Sequence, residues 1–351
     1  MKRLTVLDEI VLFLINKYNG ERTIQGIFYL LKGKQSAQII QDSHFYQVTP
    51  FFGLYPNLSN QDLEVILKEL AGLSFIVSID NNVFKVNEKG YSYLQTNNLL
   101  FQSFRYVNGL RFNQAQKVFW KRFSLFFQTI ANVNNQIKYF RPVQQEQDII
   151  DWVKNEILSF NGTKSDLTNV FYNELYSILK QMNDVDANIF VRKLSGASSY
   201  GMTLQQISFE SKIEEDILFL QTINVIHQFL FILVENEAKY PILKRFLIGT
   251  NSTNVTNTSM ETKRLLLEGK SIQEIAVIRN LKISTIEDHI VECVLQDQNL
   301  SISDFIQDDQ FKKIKEIIKE LNTRKLKTIR EALVNEVSYF QIRLTLARIG
   351  E

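Results

Sequence analysis

Thr262-Lys-Arg-Leu-Leu-Leu-Glu-Gly269, Ser271-Ile-Gln-Glu-Ile-Ala276, Arg279-Asn280-Leu281 and Ser284-Thr-Ile-Glu-Asp-His-Ile290 follow one another with little between them. Apolar residues recur at helical spacing, and the breaks fall on residues that stop a helix. Gly269 takes a left-handed turn at little steric cost, and Ser271 with Glu274 three residues on forms a capping box. Ala276 is small enough for the next helix to come close, and Asn280 tolerates the sharp turn. Ser284 is expected to cap a third helix, buried through Ile286, Ile290 and Val294. Helix, tight turn and helix at this spacing predict a helix-turn-helix. The third helix is the one such units lay against DNA, which makes Ser284, Thr285 and His289 candidate DNA contacts. His289 equally suits a hydrogen-bonded place at the edge of the core. Glu287, Asp288 and Glu292 are expected to face outward on this helix, where carboxylates repel phosphate and suit a protein-facing surface.

Outward from this stretch the pattern repeats. Thr203-Leu-Gln-Gln-Ile-Ser208 matches Ser271 to Ala276, and Thr328-Ile-Arg-Glu-Ala-Leu333 echoes it again before Val337-Ser-Tyr-Phe-Gln-Ile342. The last echo adjoins Arg324, Lys325, Lys327 and Arg330. Lys312 to Arg330 holds eight basic residues against Glu316 and Glu320, so this C-terminal surface is the best suited to phosphate. A second block, Lys89 to Arg141, has eight basic residues and no acid. It is crowded with aromatics, from Phe101 and Phe104 to Phe126 and Phe127, and basic residues among aromatics can bind single strands by stacking. Trp120, Phe123 and Phe127 at i, i+3 and i+7 fit a buried helix face better, because stacking needs rings that proteins otherwise hide.

The N-terminal third reads as helix, helix, helix, hairpin. Leu7 to Ile15 and Ile24 to Leu31 carry two apolar stripes, and Ser59 caps a helix buried through Leu63, Ile66, Leu67 and Leu70. Phe75 to Ile79 and Val83 to Val86 flank Asp80-Asn81-Asn82, a hairpin in which Asn supplies the positive-φ positions. That order is a winged helix, closed by Lys89 to Leu94. Gly249 to Ser259 has no charge and one large apolar residue, which predicts a flexible linker. The domains expected are therefore 1–97 (winged helix), 98–248 (helical, aromatic-rich), the linker 249–259, and 260–351 (helix-turn-helix), in a mainly α fold.

Composition excludes more than it assigns. The chain has 351 residues, 45% apolar and 22% charged, with net charge +2, enough for two or three cored domains. One cysteine, Cys293, cannot close an internal disulfide or build a multi-thiolate metal site, and the three His lie far apart. No metal, cofactor or small-molecule substrate is expected, and no nucleophile–base pair can be assembled with specificity. Basic Lys2-Arg3 run straight into Asp8-Glu9, which argues against a signal peptide. The longest apolar run, Ile223 to Val234, falls short of the roughly 20 residues of a membrane span. A cytoplasmic protein is expected.

Leu30-Leu31-Lys32-Gly33-Lys34-Gln35-Ser36-Ala-Gln-Ile39, Tyr46 to Gly53, Leu58-Ser59-Asn-Gln-Asp-Leu63 and Lys89-Gly90 resemble the RQC winged-helix domain that follows the motor of RecQ-type helicases. The segment from Ser259 onward resembles the helicase-associated helix-turn-helix domain at the C-terminus of many such helicases. With Phe119-Trp120-Lys-Arg122 and Tyr139-Phe-Arg-Pro142, the whole chain resembles the stand-alone YpbB-like proteins of low-GC Gram-positive bacteria. The motor is missing. Gly33-Lys34-Gln35 lacks the upstream Gly of a phosphate loop, where Phe28 stands, and the Ser/Thr after Lys, and no Asp-Glu-x-His box occurs. The four-cysteine zinc module of those helicases is also absent.

The resemblance implies that Lys32, Lys34 and Ser36 lie against duplex phosphates and that the wing tip, Asn81 and Asn82, meets a strand junction. The function it implies is a non-enzymatic accessory protein that binds forked or duplex DNA and partners a separate RecQ-type helicase in DNA repair or recombination. A sequence-specific transcription regulator reading DNA with Ser284 to Val294, commonly as a dimer, is the alternative. A protein–protein scaffold without DNA contact is a third reading.

Overall fold

The computed structural model describes residues 4–96, 104–250 and 257–350. The chain is mainly helical, with one two-stranded antiparallel sheet among the described residues. It forms two compact units, one of residues 1–97 with 253–351 and the other of residues 98–252.

In the first unit, α1 (Val6–Tyr18) is buried nearly all round through Ile10, Val11, Leu12, Leu14 and Ile15. Thr5 and Asp8 cap it reciprocally. α2 (Ile24–Lys32) ends at Gly33, whose φ of 73° is the left-handed cap expected of glycine. The helix α3 (Ala37–Phe45), capped by Ser36, was not foreseen. Its Gln41, Asp42 and Ser43 are buried polar residues, so no apolar stripe announces it. Asp42 takes two hydrogen bonds from Arg22 at 2.7 and 2.8 Å, and Ser43 donates to the Ile40 carbonyl at 2.6 Å. These bonds meet the cost of burying the polar groups.

α4 (Asn60–Gly72) follows, capped by Ser59 and Asp62, and leads into β1 (Ile76–Asp80) and β2 (Val83–Val86). The strands pair Ile76 with Val86 and Ser78 with Phe84, and the register shifts between Ser78 and Asp80. At the tip only Asn82 takes a positive φ, 58°. Lys89 to Leu94 form a helix, α5 (Glu88–Thr96), where the sequence suggested the close of a wing. Gly90 permits this helix to seat, because a Cβ there would stand 2.4 Å from the Phe75 carbonyl oxygen.

The C-terminal part of this unit contains two successive three-helix sets. The first is α12 (Asn257–Leu267), α13 (Ile272–Arg279) and α14 (Ile283–Gln296); the second is α15 (Asp308–Leu321), α16 (Leu326–Ala332) and α17 (Tyr339–Ile349). Ile275 and Ile329, Ile286 and Phe340, and Ile290 and Leu344 are buried at one constant interval. The repeat suspected at Thr328 is therefore real but three residues out of register. Lys325, not Thr328, stands at the N-cap of α16, and Thr328 lies inside the helix. α12 already begins at Asn257, within the stretch expected as linker, and the rest of that stretch at 251–256 lies outside the described residues.

α14 packs against α12, α13, α17 and α3, and α3 also packs against α17. Glu21, in the α1–α2 turn, accepts hydrogen bonds from the Thr323 hydroxyl at 2.5 Å, the Arg324 amide at 3.0 Å and the Tyr46 hydroxyl at 2.7 Å. The two ends of the chain, expected to be separate domains, thus pack as one body.

The second unit is built on α6 (Gly109–Asn134), with α7 (Gln147–Leu158), α8 (Lys164–Leu179), α9 (Asp184–Arg192), α10 (Leu204–Ser211) and α11 (Glu215–Glu235) around it. Phe119, Phe123, Phe126, Phe171, Phe190, Phe229 and Phe246 make a core of rings packed on one another. The basic-aromatic block supplies this core, as the spacing of Trp120, Phe123 and Phe127 implied. The echo at Thr203 has a structural counterpart. Thr203 caps α10 through a capping box with Gln206, and Lys212 (φ 58°) ends it, as Ser271 and Asn280 (φ 49°) bound α13. Ile189, Ile207 and Leu218 fill the angle between α9, α10 and α11. α11 is longer than the apolar run seen in sequence, with 21 residues. By length and composition it could cross a membrane, and 67% of its most apolar stretch is buried in the unit.

Candidate nucleic-acid interface

A helix-turn-helix usually offers its third helix to DNA. Here α14 is covered beyond its first turn, while Lys282, Ile283 and Ser284 stay exposed. Lys282, not Ser284, stands at its N-cap, and no side chain caps it. Arg343 of α17 pairs with Asp288 and lies 3.5 Å from Glu287, while the Gln41 amide of α3 donates to Asp288 at 3.4 Å. Glu292, expected to face outward, is buried and accepts from the Ser259 hydroxyl at 2.7 Å. His289 Nδ1 lies 2.9 Å from the Thr262 hydroxyl and 3.2 Å from Arg279 Nη1. Burial and the neighbouring Arg279 charge lower its pKa below the ordinary histidine value. Burial raises the Glu287 pKa, and Arg343 opposes the rise. Of the residues expected to read DNA from this helix, His289 and Thr285 are half-buried, His289 within hydrogen-bond distance of Thr262 and Arg279, and Ser284 is exposed in the first turn. The carboxylates that the sequence placed outward prove to have partners within the unit: Glu287 and Asp288 meet Arg343 of the second helical set, Asp288 also meets Gln41 of α3, and Glu292 meets Ser259 of α12.

The second set presents a different surface. On α15, Lys312, Lys315 and Lys319 are exposed on the side opposite Ile314, which is fully buried. Spacing of i, i+3 and i+7 puts the three ammonium groups in one row. No ion pair joins any of them to an acid among the described residues. The chain then turns at Asn322 (φ 44°) and enters α16 with Lys325 and Lys327 exposed; Lys327 lies 3.8 Å from Glu331, a loose surface pair. Arg324 and Arg330 are partly committed. The Arg324 guanidinium lies 5.7 Å from the Tyr46 ring centre, and Arg330 donates to the Val337 carbonyl at 3.1 Å and lies over Tyr339. The α15 lysines were counted in the basic block but not singled out, although their spacing was readable.

In the N-terminal part of this unit, Lys32 is exposed and donates to the Leu58 carbonyl at 3.0 Å, with its ammonium 5.3 Å from the Phe28 ring centre. Lys34 lies over Tyr29 at 3.9 Å. Ser36 accepts from the Ile39 amide as N-cap. Asn81 is exposed, whereas the Asn82 carbonyl accepts from the Ile24 amide at 2.8 Å and ties the hairpin tip to the start of α2.

In the second unit acids from beyond the basic block neutralise part of it. Arg111 pairs with Glu235 at 3.2 Å and Lys121 with Glu146 at 2.7 Å, and Arg122 donates to the Phe246 and Ile248 carbonyls over the Trp152 ring. Among the described residues no three of His, Cys, Asp and Glu gather as metal ligands. Burial pushes the Cys293 thiol up to about 12.

A family model described as a helix-turn-helix domain matches residues 258–346, covering both helical sets from α12 into α17. No solved structure matches the chain. Protein YpbB of Bacillus subtilis (strain 168) is 31% identical over 347 residues, 98% of each chain. Identity at that level across practically the full length means that the chain belongs to the YpbB family.

Proposed function

We propose that this protein binds DNA through the lysine face of α15 and α16 and serves as a non-enzymatic accessory to a separate RecQ-type helicase in repair or recombination. One observation carries the DNA part: Lys312, Lys315, Lys319 and Lys325 stand exposed in the helix-turn-helix domain, while α14 is occupied by α3 and α17. A row of free ammonium groups favours phosphate binding, which is salt-dependent and indifferent to sequence. That is the property an accessory to a motor needs. It speaks against the transcription-regulator alternative, which requires a helix free to enter the major groove and read base edges. The helicase part rests on the resemblance of both ends to RecQ-type tails. The packing of these ends into one unit supports it, since a single body then carries both.

The helicase part is tested by mixing the full chain with the cognate RecQ-type motor. Co-purification and a changed rate of fork unwinding are expected. No association together with no change in unwinding would reject the partnership.

A further inference from the structure

We propose that residues 137–143 of the second unit form a binding site for single-stranded DNA, with Tyr139 as the stacking ring and Lys138 and Arg141 as phosphate-binding cations. Tyr139 is 93% exposed, more than any other large apolar or aromatic side chain among the described residues. Leaving a ring so bare has no structural return, because burial would remove its apolar surface from water. No ring packs on it, and no acid pairs with Lys138 or Arg141, among the described residues. Lys89 to Gln145 contains no acid in sequence, and the first acid after the segment, Glu146, pairs with Lys121.

The segment is also held in place. Gln128 of α6 is 3% exposed, and both ends of its amide serve this stretch: Nε2 donates to the Arg141 carbonyl at 3.1 Å and Oε1 accepts from the Val143 amide at 2.9 Å. Between these anchors Pro142 fixes its own φ. Gln144 donates to the Ser124 hydroxyl at 3.2 Å, and Lys121 pairs with Glu146, so the chain runs back along α6 turn by turn. A buried amide used in full to fix an otherwise irregular strand pre-orients whatever the strand displays, which lowers the ordering cost of binding. A ring flanked by two cations suits a single strand, whose unpaired bases offer π-faces and whose phosphates follow at short intervals. A duplex hides those faces in its stack.

The proposal deepens the accessory reading by naming a single-strand site apart from the α15 lysines. Full-length protein is titrated by fluorescence anisotropy with a labelled oligo-dT strand and, separately, with a blunt hairpin duplex. Tyr139→Ala is expected to weaken oligo-dT binding roughly 5- to 140-fold, the effect of removing one stacked base, with duplex binding unchanged. Tyr139→Phe keeps the ring and should bind like the parent. The pair Lys138→Glu and Arg141→Glu should flatten the log–log salt dependence by about 1.4, at about 0.7 for each single-strand phosphate neutralised. Oligo-dT binding by Tyr139→Ala at the parent level, or no oligo-dT binding by the parent, would overturn the proposal. The duplex arm reports separately on the α15 lysines: if their replacement leaves it unchanged, DNA binding through α15 fails while the single-strand site stands or falls on Tyr139.

Discussion

Arg343 on α17 grips Asp288 on α14, and its second terminal nitrogen lies 3.5 Å from Glu287. One guanidinium therefore serves two half-buried carboxylates from the helix that a helix-turn-helix ordinarily gives to DNA. Arg343→Ala would leave those carboxylates side by side without a counter-charge. A loss of about 1–3 kcal/mol is expected, less than for a fully buried pair, seen as a melting temperature lower by several degrees. Duplex affinity measured well below that temperature should not change. A large gain or loss of affinity would mean that α14 meets DNA after all.

A pH dependence follows from two histidines, His227, which is buried, and His44, which is half-buried with its Nε2 shielded from solvent. His227 of α11 accepts at Nδ1 from the Asn108 amide at 3.0 Å and packs on Phe112, and burial pushes its pKa down to about 3. His44 of α3 is pushed down to about 4 for the same reason. Both pKa values are depressed from 6.5, so between about 6.5 and these values the unfolded chain binds the protons that the folded chain refuses. Stability is fully present above about 6.5 and falls as the pH drops through that window. Urea unfolding at pH 7.5 and pH 5 should show it, and His227→Gln should reduce the difference. Equal stability of the parent at the two pH values would contradict the lowered pKa values of both rings.

Cys293 tests the interior of α14 directly. Its thiol is buried, donates to the Ser259 carbonyl at 3.4 Å and is shifted up to about 12. A thiol-reactive disulfide reagent at pH 8 should leave it untouched in the folded protein and titrate one thiol after denaturation. Prompt reaction in the absence of denaturant would show that α14 is loosely held.

What could be read from sequence followed from how local each signal is. Capping boxes at Ser59, Thr203 and Ser271, left-handed stops at Gly269 and Asn280, and the hairpin turn at Asn82 all depend on neighbours within a few residues, and the structure has each. α3 escaped because its buried Gln41, Asp42 and Ser43 are satisfied by partners that no periodicity reveals. The surface of α14 was misjudged for a related reason. Glu287, Asp288 and Glu292 look solvated until Arg343 and Ser259 arrive from 55 and 33 residues away. Charge alone marked the region from Lys312 to Arg330, but only the packing of Ile314 shows which lysines face out.

DNA binding through the second helical set rather than through α14 is the centre of this account. The most direct measurement is duplex affinity across a salt series for the parent, for Lys312→Glu with Lys315→Glu and Lys319→Glu, and for Ser284→Ala with Thr285→Ala. The lysine variant should bind weakly, with a log–log salt slope reduced by about 0.9 for each phosphate it no longer neutralises, and the α14 variant should bind like the parent. Parent-like binding by the lysine variant, with weakened binding by the α14 variant, would contradict it.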